Sequence, residues 1–226
     1  MKLLTLLVVL VAVVVIGAEV VVPPRIEEAI EARAAEQVPE AQRVSARLEG
    51  FPVVARGVAT GEVQHLVVNL EEVARPEVTI SSVTIDVTGI EISRQALFDG
   101  DVDLKRVDRA DLSALLTEDD LEQALPGRRI DLALRPGRVE ATLAGQTVGS
   151  DVTVSGGRVI FDLGPLPDAS VALPGPELFP CPLDGEVVEG AVRLFCVLDD
   201  VPAYLVRSLG TAASSPLTIL WSRGHP

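Results

Sequence analysis

Few side chains in this sequence are of the types that carry acid–base or nucleophilic chemistry. Its 226 residues include two histidines, His65 and His225, and two cysteines, Cys181 and Cys196. His65 falls on the more polar side of an alternating segment, which predicts an ordinary surface residue, and His225 stands next to the C-terminus. The GxSxG, HExxH, P-loop and GxGxxG motifs are absent from the sequence. We therefore predict that the protein has no catalytic residues and is not an enzyme.

Two runs of acidic residues are the remaining candidates for chemistry. Glu118-Asp119-Asp120 and Asp199-Asp200 contain the residue types that hold divalent cations or form glycosidase pairs. The first run begins a predicted helix, where Asp120 has a capping role, and the second lies in a predicted turn. Neither run has the alternating ligand spacing of a calcium-binding loop. We predict no metal ion and no cofactor, and we keep as an alternative a hydrolase that uses His65 or Asp120.

The N-terminus has the organisation of an export signal. A basic start, Met1-Lys2, precedes the uncharged apolar stretch Leu3–Ile16, and the small residues Gly17-Ala18 follow. This order is typical of a signal peptide that is cleaved after the small residues. The alternative is an uncleaved anchor that runs to Val22 and is just long enough to cross the hydrocarbon. Either interpretation of residues 1–22 places the rest of the chain outside the cytoplasm, in the cell envelope.

The cysteines fit this compartment. Cys181 and Cys196 are fifteen positions apart, and the segment "LDGEVVEGAVRL" between them has the pattern of a strand, a Glu-Gly turn and a second strand. Two cysteines at the ends of one hairpin in an exported protein are predicted to pair. A disulfide closing a loop of this size contributes roughly 3 kcal/mol in the chain-entropy model. A metal pair or a catalytic thiol fits less well, because there is no CxxC motif and both histidines lie elsewhere.

The charge and the aromatic content limit the classes of partner. A net charge of −14, from 33 acidic and 19 basic residues, argues against a nucleic-acid partner. The basic residues of the largest cluster, which includes Arg106 and Arg109, have acidic neighbours, so they are either solvated surface or a site for an anionic headgroup. Aromatic residues make up only 3% of the chain. The interior must therefore be aliphatic, which suits acyl chains but also follows from a compositional bias.

The mature chain opens with a predicted helix and continues with strands. Apolar residues recur every fourth position from Ile26 to Val38, and Pro39 then ends the helix. A strand pattern, Val44 to Leu48, precedes "GFP" at residues 50–52. In the next alternating segment Leu66, Val68 and Leu70 form the apolar side, opposite Val63, His65, Val67 and Asn69.

The following segment predicts one long, bent strand. In residues 78–92 the apolar residues change sides twice, which predicts bulges near Ser81-Ser82 and at Gly89. Residues 101–116 form another long strand, a second helix is capped by Thr117, and residues 130–163 alternate as a four-stranded meander. No linker divides residues 23–206, so we predict one α+β domain, followed by a C-terminal tail at 207–226.

These features together resemble the actinobacterial LmeA-like phospholipid-binding family. The resemblance extends from about residue 20 to residue 206. It rests on the exported N-terminus and the first helix, on Gly50-Phe51-Pro52 with Gly61, on the Thr117–Leu121 helix start, and on the cysteine pair before Val201-Pro202. None of these motifs is catalytic, and none assigns a headgroup contact.

The resemblance implies a fold and a function. It implies extracytoplasmic proteins that bind phospholipids, with a role in lipoglycan assembly for one member, and a long curved antiparallel sheet wrapped on an N-terminal helix, similar to tubular lipid-binding folds. We expect a phospholipid or other acyl lipid as the partner, and membrane contact through the leader or transiently. A structural scaffolding module with a filled core is the alternative. The residues predicted to line a hollow interior are Phe51, Leu66, Val68, Leu70, Val83, Ile85, Val87, Ile90 and Leu112, and those predicted to bind a headgroup are Arg106 and Arg109.

Overall fold

Antiparallel strands account for most of the described structure, and they form a single α+β domain with a curled sheet and an N-terminal helix, as predicted. The structure is a computed structural model. The residues that it describes are 22–50, 52–93, 104–125, 130–136, 138–143, 145–164, 169–173, 175 and 178–202.

The larger sheet has six antiparallel strands in the order β1-β2-β3-β4-β11-β10. The long alternating segments of the sequence form its central strands, with their apolar sides turned to the core. The strands of this sheet are β1 Ala41–Glu49, β2 Glu62–Ala74, β3 Thr79–Ile92, β4 Leu104–Thr117, β10 Asp184–Val188 and β11 Ala191–Asp199.

The smaller sheet is a five-stranded antiparallel meander in chain order. Its first four strands are those that the alternation predicted, and the fifth lies in the proline-rich passage, where no strand was predicted. One hydrophobic core joins this sheet to the larger one. The strands of the meander are β5 Ile130–Arg135, β6 Arg138–Leu143, β7 Gln146–Ser155, β8 Arg158–Asp162 and β9 Ala169–Ala172.

The described residues include three helices. The first, α1, spans residues 22–37 and ends before Pro39, as its apolar spacing predicts. The second, α2, is Val53–Thr60, and the third, α3, is Glu118–Ala124 with the predicted Thr117–Asp120 capping box. The α2 helix was not predicted, because Pro52 and the flanking glycines Gly50 and Gly61 suggested a break in the chain. It ends at Gly61, whose φ of 78° is the left-handed conformation that glycine adopts without strain.

The buried side of β3 changes along the strand, but the predicted bulges are not the cause. The registers of β3 with β2 and β4 are constant through Ser81-Ser82 and Gly89, and the shift that they do show lies between Glu91 and Ile92. Instead, Gly89 has a φ of 65°, and Glu72 on the adjacent β2 has a φ of 50°. Left-handed residues redirect the neighbouring side chains without inserting a residue, so the register is kept.

The predicted disulfide is present. Cys181 and Cys196 are bonded with a Cα–Cα distance of 5.9 Å. Cys196 lies in β11, and Cys181 lies three residues before β10, so the bond closes the base of the β10–β11 hairpin. Both half-cystines are buried in the main core.

Two glutamates one helical turn apart bind helix α1 to the edge of the larger sheet. Glu27 Oε1 accepts a hydrogen bond from Leu48 N at 2.7 Å, and Glu31 Oε1 accepts one from Ala46 N at 2.8 Å. Since β1 is an edge strand, these are backbone donors that the sheet itself leaves without partners. Two acidic residues of α1 therefore bind the sheet edge, a role that the sequence did not reveal.

Helix α3 binds the edge of the smaller sheet in the same way, through two glutamates. Glu118 Oε1 accepts a hydrogen bond from Leu134 N, and Glu122 Oε1 accepts one from Leu132 N, both at 2.6 Å. The strand concerned, β5, is again an edge strand. Each sheet thus has one edge closed by a pair of glutamates on a helix.

Candidate functional site

An apolar cavity of about 220 Å³ lies at one end of the larger sheet. The N-terminal half of α1 and the helix α2 cover it, and the ends of β1 to β4 form its floor. Its lining residues are Val22, Ile26, Ile30, Leu48, Val53, Val54, Gly57, Val58, Val63, Leu66, Ile90, Ile92 and Leu104.

Sequence spacing explains why these side chains converge. On α1, Val22, Ile26 and Ile30 are four residues apart and lie on one face of the helix. On α2, the lining residues Val53, Val54, Gly57 and Val58 occupy neighbouring positions of two successive turns. The apolar face of each helix is thereby directed at the same space.

The floor of the cavity is formed by residues that face one another across the strands. Val63 pairs with Ile90 in the β2–β3 register, and Ile92 pairs with Leu104 in the β3–β4 register. Val87 packs against Ile90 and Ile92 as well, which follows from the reversal at Gly89, because without it Ile90 would lie on the opposite face from Val87.

Gly57 enlarges the cavity. A side chain added at this helical position would meet no atom within 4 Å, although the residue is buried. Any larger residue would project into the cavity, because Gly57 is one of its lining residues. The missing side chain therefore leaves room in the cavity beside α2.

The cavity opens beside α2. Val58 lines it and is nevertheless 47% exposed, so the apolar wall continues to the molecular surface at this residue. The wall is thus aliphatic from the surface inward.

A polar cleft of about 400 Å³ lies next to the cavity. The two share Val63 and Ile90 as wall residues, and α2 contributes Arg56 to the cleft. The other residues of the cleft are Glu62, Gln64, Gly89, Glu91, Arg106 and Asp108.

The two arginines predicted to bind a headgroup are in different places. Arg106 lines the polar cleft, where its Nε is 2.9 Å from Asp108 Oδ1. Arg109 lies outside both cavities and is held by Asp111 at 2.7 Å and by Asp199 at 2.9 Å. The hydrogen bond to Asp111 raises the pKa of Arg109, and Asp199 acts in the same direction.

Two of the nine predicted lining residues reach the cavity. Leu66 and Ile90 line it. Phe51 lies outside the described residues. The remaining six belong to the main core, either buried in it or packed against its edge: Val68, Leu70, Val83, Ile85, Val87 and Leu112.

The wall residues that the prediction left out come mostly from the helices. The periodicity of α1 already indicated the apolar positions Ile26 and Ile30, but not what they face. The α2 residues had no recognised pattern, because the flanking glycines and Pro52 suggested a break in the chain.

His65 sits on the outer face of the sheet between two carboxylates. Its Nδ1 is 2.9 Å from Glu49 Oε2, its Nε2 is 2.6 Å from Asp86 Oδ1, and its side chain is 27% exposed. No group of three or more potential metal-ligating residues occurs within the described part of the chain. Both ring nitrogens of His65 are thus engaged by carboxylates at the surface.

The family model described as LmeA-like phospholipid-binding matches residues 16–202, most of the chain. The chain belongs to the LmeA-like phospholipid-binding family. No curated protein and no solved structure matched it.

Two further observations bear on where this LmeA-like protein works. The Cys181–Cys196 disulfide indicates an oxidising, extracytoplasmic compartment. Within the described residues, no helix has the length and hydropathy needed to cross a bilayer.

Proposed function

We propose that this LmeA-like protein is an extracytoplasmic carrier that holds a phospholipid by its acyl chains and shuttles it within the cell envelope. The observation that carries the proposal is the aliphatic cavity between α1, α2 and the end of the sheet, in a chain of a phospholipid-binding family. Lipid supplied in this way would support lipoglycan assembly, and the protein itself would carry out no chemical step.

The energetics of the cavity suit this role. Each acyl CH₂ transferred from water to such a lining contributes roughly 0.8 kcal/mol. Binding then depends on the chain length buried, and no strong headgroup contact is required. A carrier needs this balance, because a lipid held by many polar contacts would be released slowly.

The main core gives a reason to test a second function. Most predicted lining residues are packed there, as expected for a structural module that scaffolds envelope enzymes. That module would bind no lipid, so lipid content distinguishes the two functions.

The direct experiment is mass spectrometry of organic extracts from the purified protein. Stoichiometric phospholipid in the extract supports the carrier. Protein that yields no lipid and takes up no fluorescent fatty acyl probe would support the scaffolding module instead.

A cavity-filling variant locates the binding. In Gly57→Leu the new side chain enters the cavity, so we expect uptake of the acyl probe to fall by about tenfold or more, since two or more CH₂ groups of the lipid are displaced. Stability should be retained or rise by up to about 1 kcal/mol, because glycine is a poor helix former. The matched control is Gly149→Leu, another position where an added side chain meets no atom. Equal uptake by both variants would show that lipid binds elsewhere.

A further inference from the structure

Helix α2 differs in charge from the molecule around it. Its sequence, "VVARGVAT", contains Arg56 and no acidic residue, whereas the whole chain has 33 acidic and 19 basic residues. A surface carrying phosphate groups would be repelled by most of this protein. Of the walls of the cavity, α2 is the helix with no acidic side chain to oppose such contact.

Val58 presents an apolar side chain to solvent at the opening of the cavity. It is one of three exposed large hydrophobic side chains among the described residues, with Phe195 and Val197. The latter two lie on β11, whose residues do not line the cavity. Of these three side chains, Val58 is the one that lines the cavity, which places it where hydrocarbon would enter.

Arg56 has a guanidinium group that makes no ion pair with any described residue. Six other arginines each contact a carboxylate: Arg43, Arg75, Arg106, Arg109, Arg138 and Arg193. Arg56 instead lines the polar cleft beside the cavity, where Glu62, Glu91 and Asp108 are also wall residues but form no ion pair with it. A planar guanidinium with free donors is suited to a phosphate oxygen pair.

We propose that α2 is the element by which the protein docks on a phospholipid surface. Val58 enters the membrane interface and Arg56 binds the phosphate of a lipid, so that an acyl chain passes from the bilayer into the cavity without crossing water. The proposal rests on the proposed function, since it assigns the route by which the cavity is loaded.

Tryptophan fluorescence tests where the protein touches the membrane. The full chain carries Trp221→Phe to remove its own tryptophan, and either Val58→Trp or the control Val197→Trp, which replaces a side chain of similar exposure, 43% against 47%. Each is mixed with vesicles of phosphatidylcholine and phosphatidylethanolamine that contain brominated acyl chains. We expect a blue shift and quenching for Val58→Trp alone. Absence of quenching at position 58, or equal quenching at both positions, would overturn docking through α2.

The leader is identical in both variants, so a difference between them reports α2 rather than the leader. Thermal unfolding checks that both are folded. If Val58→Trp alone unfolds, the two tryptophan variants are replaced by Val58→Gln and Val197→Gln. The measurement is then the rate at which each variant extracts lipid from vesicles. A slower rate for Val58→Gln alone supports the proposal, and equal rates overturn it.

The phosphate contact is tested separately. In the Val58→Trp background, Arg56→Gln should raise the lipid concentration at half-maximal quenching about tenfold, as expected for a lost charge-assisted hydrogen bond. Arg47→Gln removes an exposed arginine that lines neither cavity and should have no such effect. Equal effects of the two substitutions would overturn the role of Arg56.

Uptake of a fluorescent fatty acid in the absence of vesicles distinguishes the two proposals. Uptake without quenching at position 58 overturns docking through α2 and leaves lipid carriage intact. Quenching at position 58 without uptake supports docking and overturns lipid carriage.

Discussion

Asp120 shows how much one side chain contributes to joining these elements. Its Oδ2 accepts hydrogen bonds from Thr117 N at 2.9 Å and from Thr117 Oγ1 at 2.8 Å, and Ser81 Oγ donates to the same oxygen. The capping pair of Thr117 and Asp120 is local and was predicted from the sequence. The contact with Ser81 joins α3 to β3, and local spacing contains no sign of it.

Asp120→Ala should therefore destabilise the protein more than the loss of a helix cap alone. We expect the free energy of unfolding to fall by about 2–3 kcal/mol, because two half-buried hydroxyls and a backbone N–H lose their acceptor. Urea denaturation measures this change. Asp119→Ala, which removes an exposed carboxylate from the same helical turn, should cost less than about 0.5 kcal/mol. Similar costs for both would contradict the importance of the contact with Ser81.

At the residue scale, the sequence predicted the faces of strands better than it predicted their surroundings. Alternation placed Leu66 and Leu70 on the same side of β2, and both face inward. It could not show that Leu70 is packed by the core while Leu66 reaches a cavity. That difference depends on which helix covers each end of the strand. Arg56 was missed for the same reason, because α2 itself was not predicted.

At the element scale, the two helices that close sheet edges were predicted, but their function was not. Glu27 and Glu31 suited the positive end of the α1 dipole, and Glu118 suited that of α3. The structure shows that these carboxylates bind strands that follow in the chain. Hydrogen bonds across fifteen or more positions depend on the packing angle of the helix. Local sequence patterns carry no information about that angle.

Removing the α1 carboxylates should expose the edge of the larger sheet. In Glu27→Ala/Glu31→Ala we expect the amide protons of Ala46 and Leu48 to exchange about tenfold faster or more, since each loses a charge-assisted hydrogen bond. Amide hydrogen exchange followed by NMR measures this directly. Glu28→Ala removes an exposed neighbouring carboxylate and should leave both rates unchanged. Unchanged rates in the double variant would contradict the edge contact.

The Cys181–Cys196 disulfide should contribute about as much to the free energy of unfolding as a small cluster of core contacts. Cys181→Ala/Cys196→Ala is expected to lower the free energy of unfolding by about 3 kcal/mol, mainly by freeing the unfolded chain. Reduction of the disulfide in the native protein should lower the free energy of unfolding by a similar amount. Because reduction removes no side-chain atoms, this measurement controls for the atoms that the alanine substitutions remove. A loss below about 1 kcal/mol in both measurements would show that the strands β10 and β11 need no covalent closure.

At the scale of the whole molecule, a negatively charged protein carries its apolar opening beside a helix that has no acidic residue. The main core packs residues of both sheets together, and the described apolar cavity lies at one end of the larger sheet, between helices. Composition alone predicted the charge and the aliphatic interior. It could not predict where space would remain, because that depends on how α1 and α2 meet the sheet.

The net charge of −14 leads to a prediction about membranes. Transfer of a fluorescent phospholipid from phosphatidylcholine vesicles should slow by about tenfold when much of the acceptor lipid is anionic and the salt concentration is low. Raising the salt to about 0.5 M should remove most of the difference, because it shortens the range of the repulsion to a few ångströms. A transfer rate that does not depend on vesicle charge would contradict this expectation.

The closed sheet edges also have a consequence for folding as the chain is made. Helix α1 precedes β1 in the sequence, and α3 precedes β5, each by only a few residues. In a chain that emerges from its N-terminus, each pair of glutamates is therefore present before the strand edge that it covers. The nascent edge is covered as it forms, when an uncovered strand would be most prone to pair with another chain.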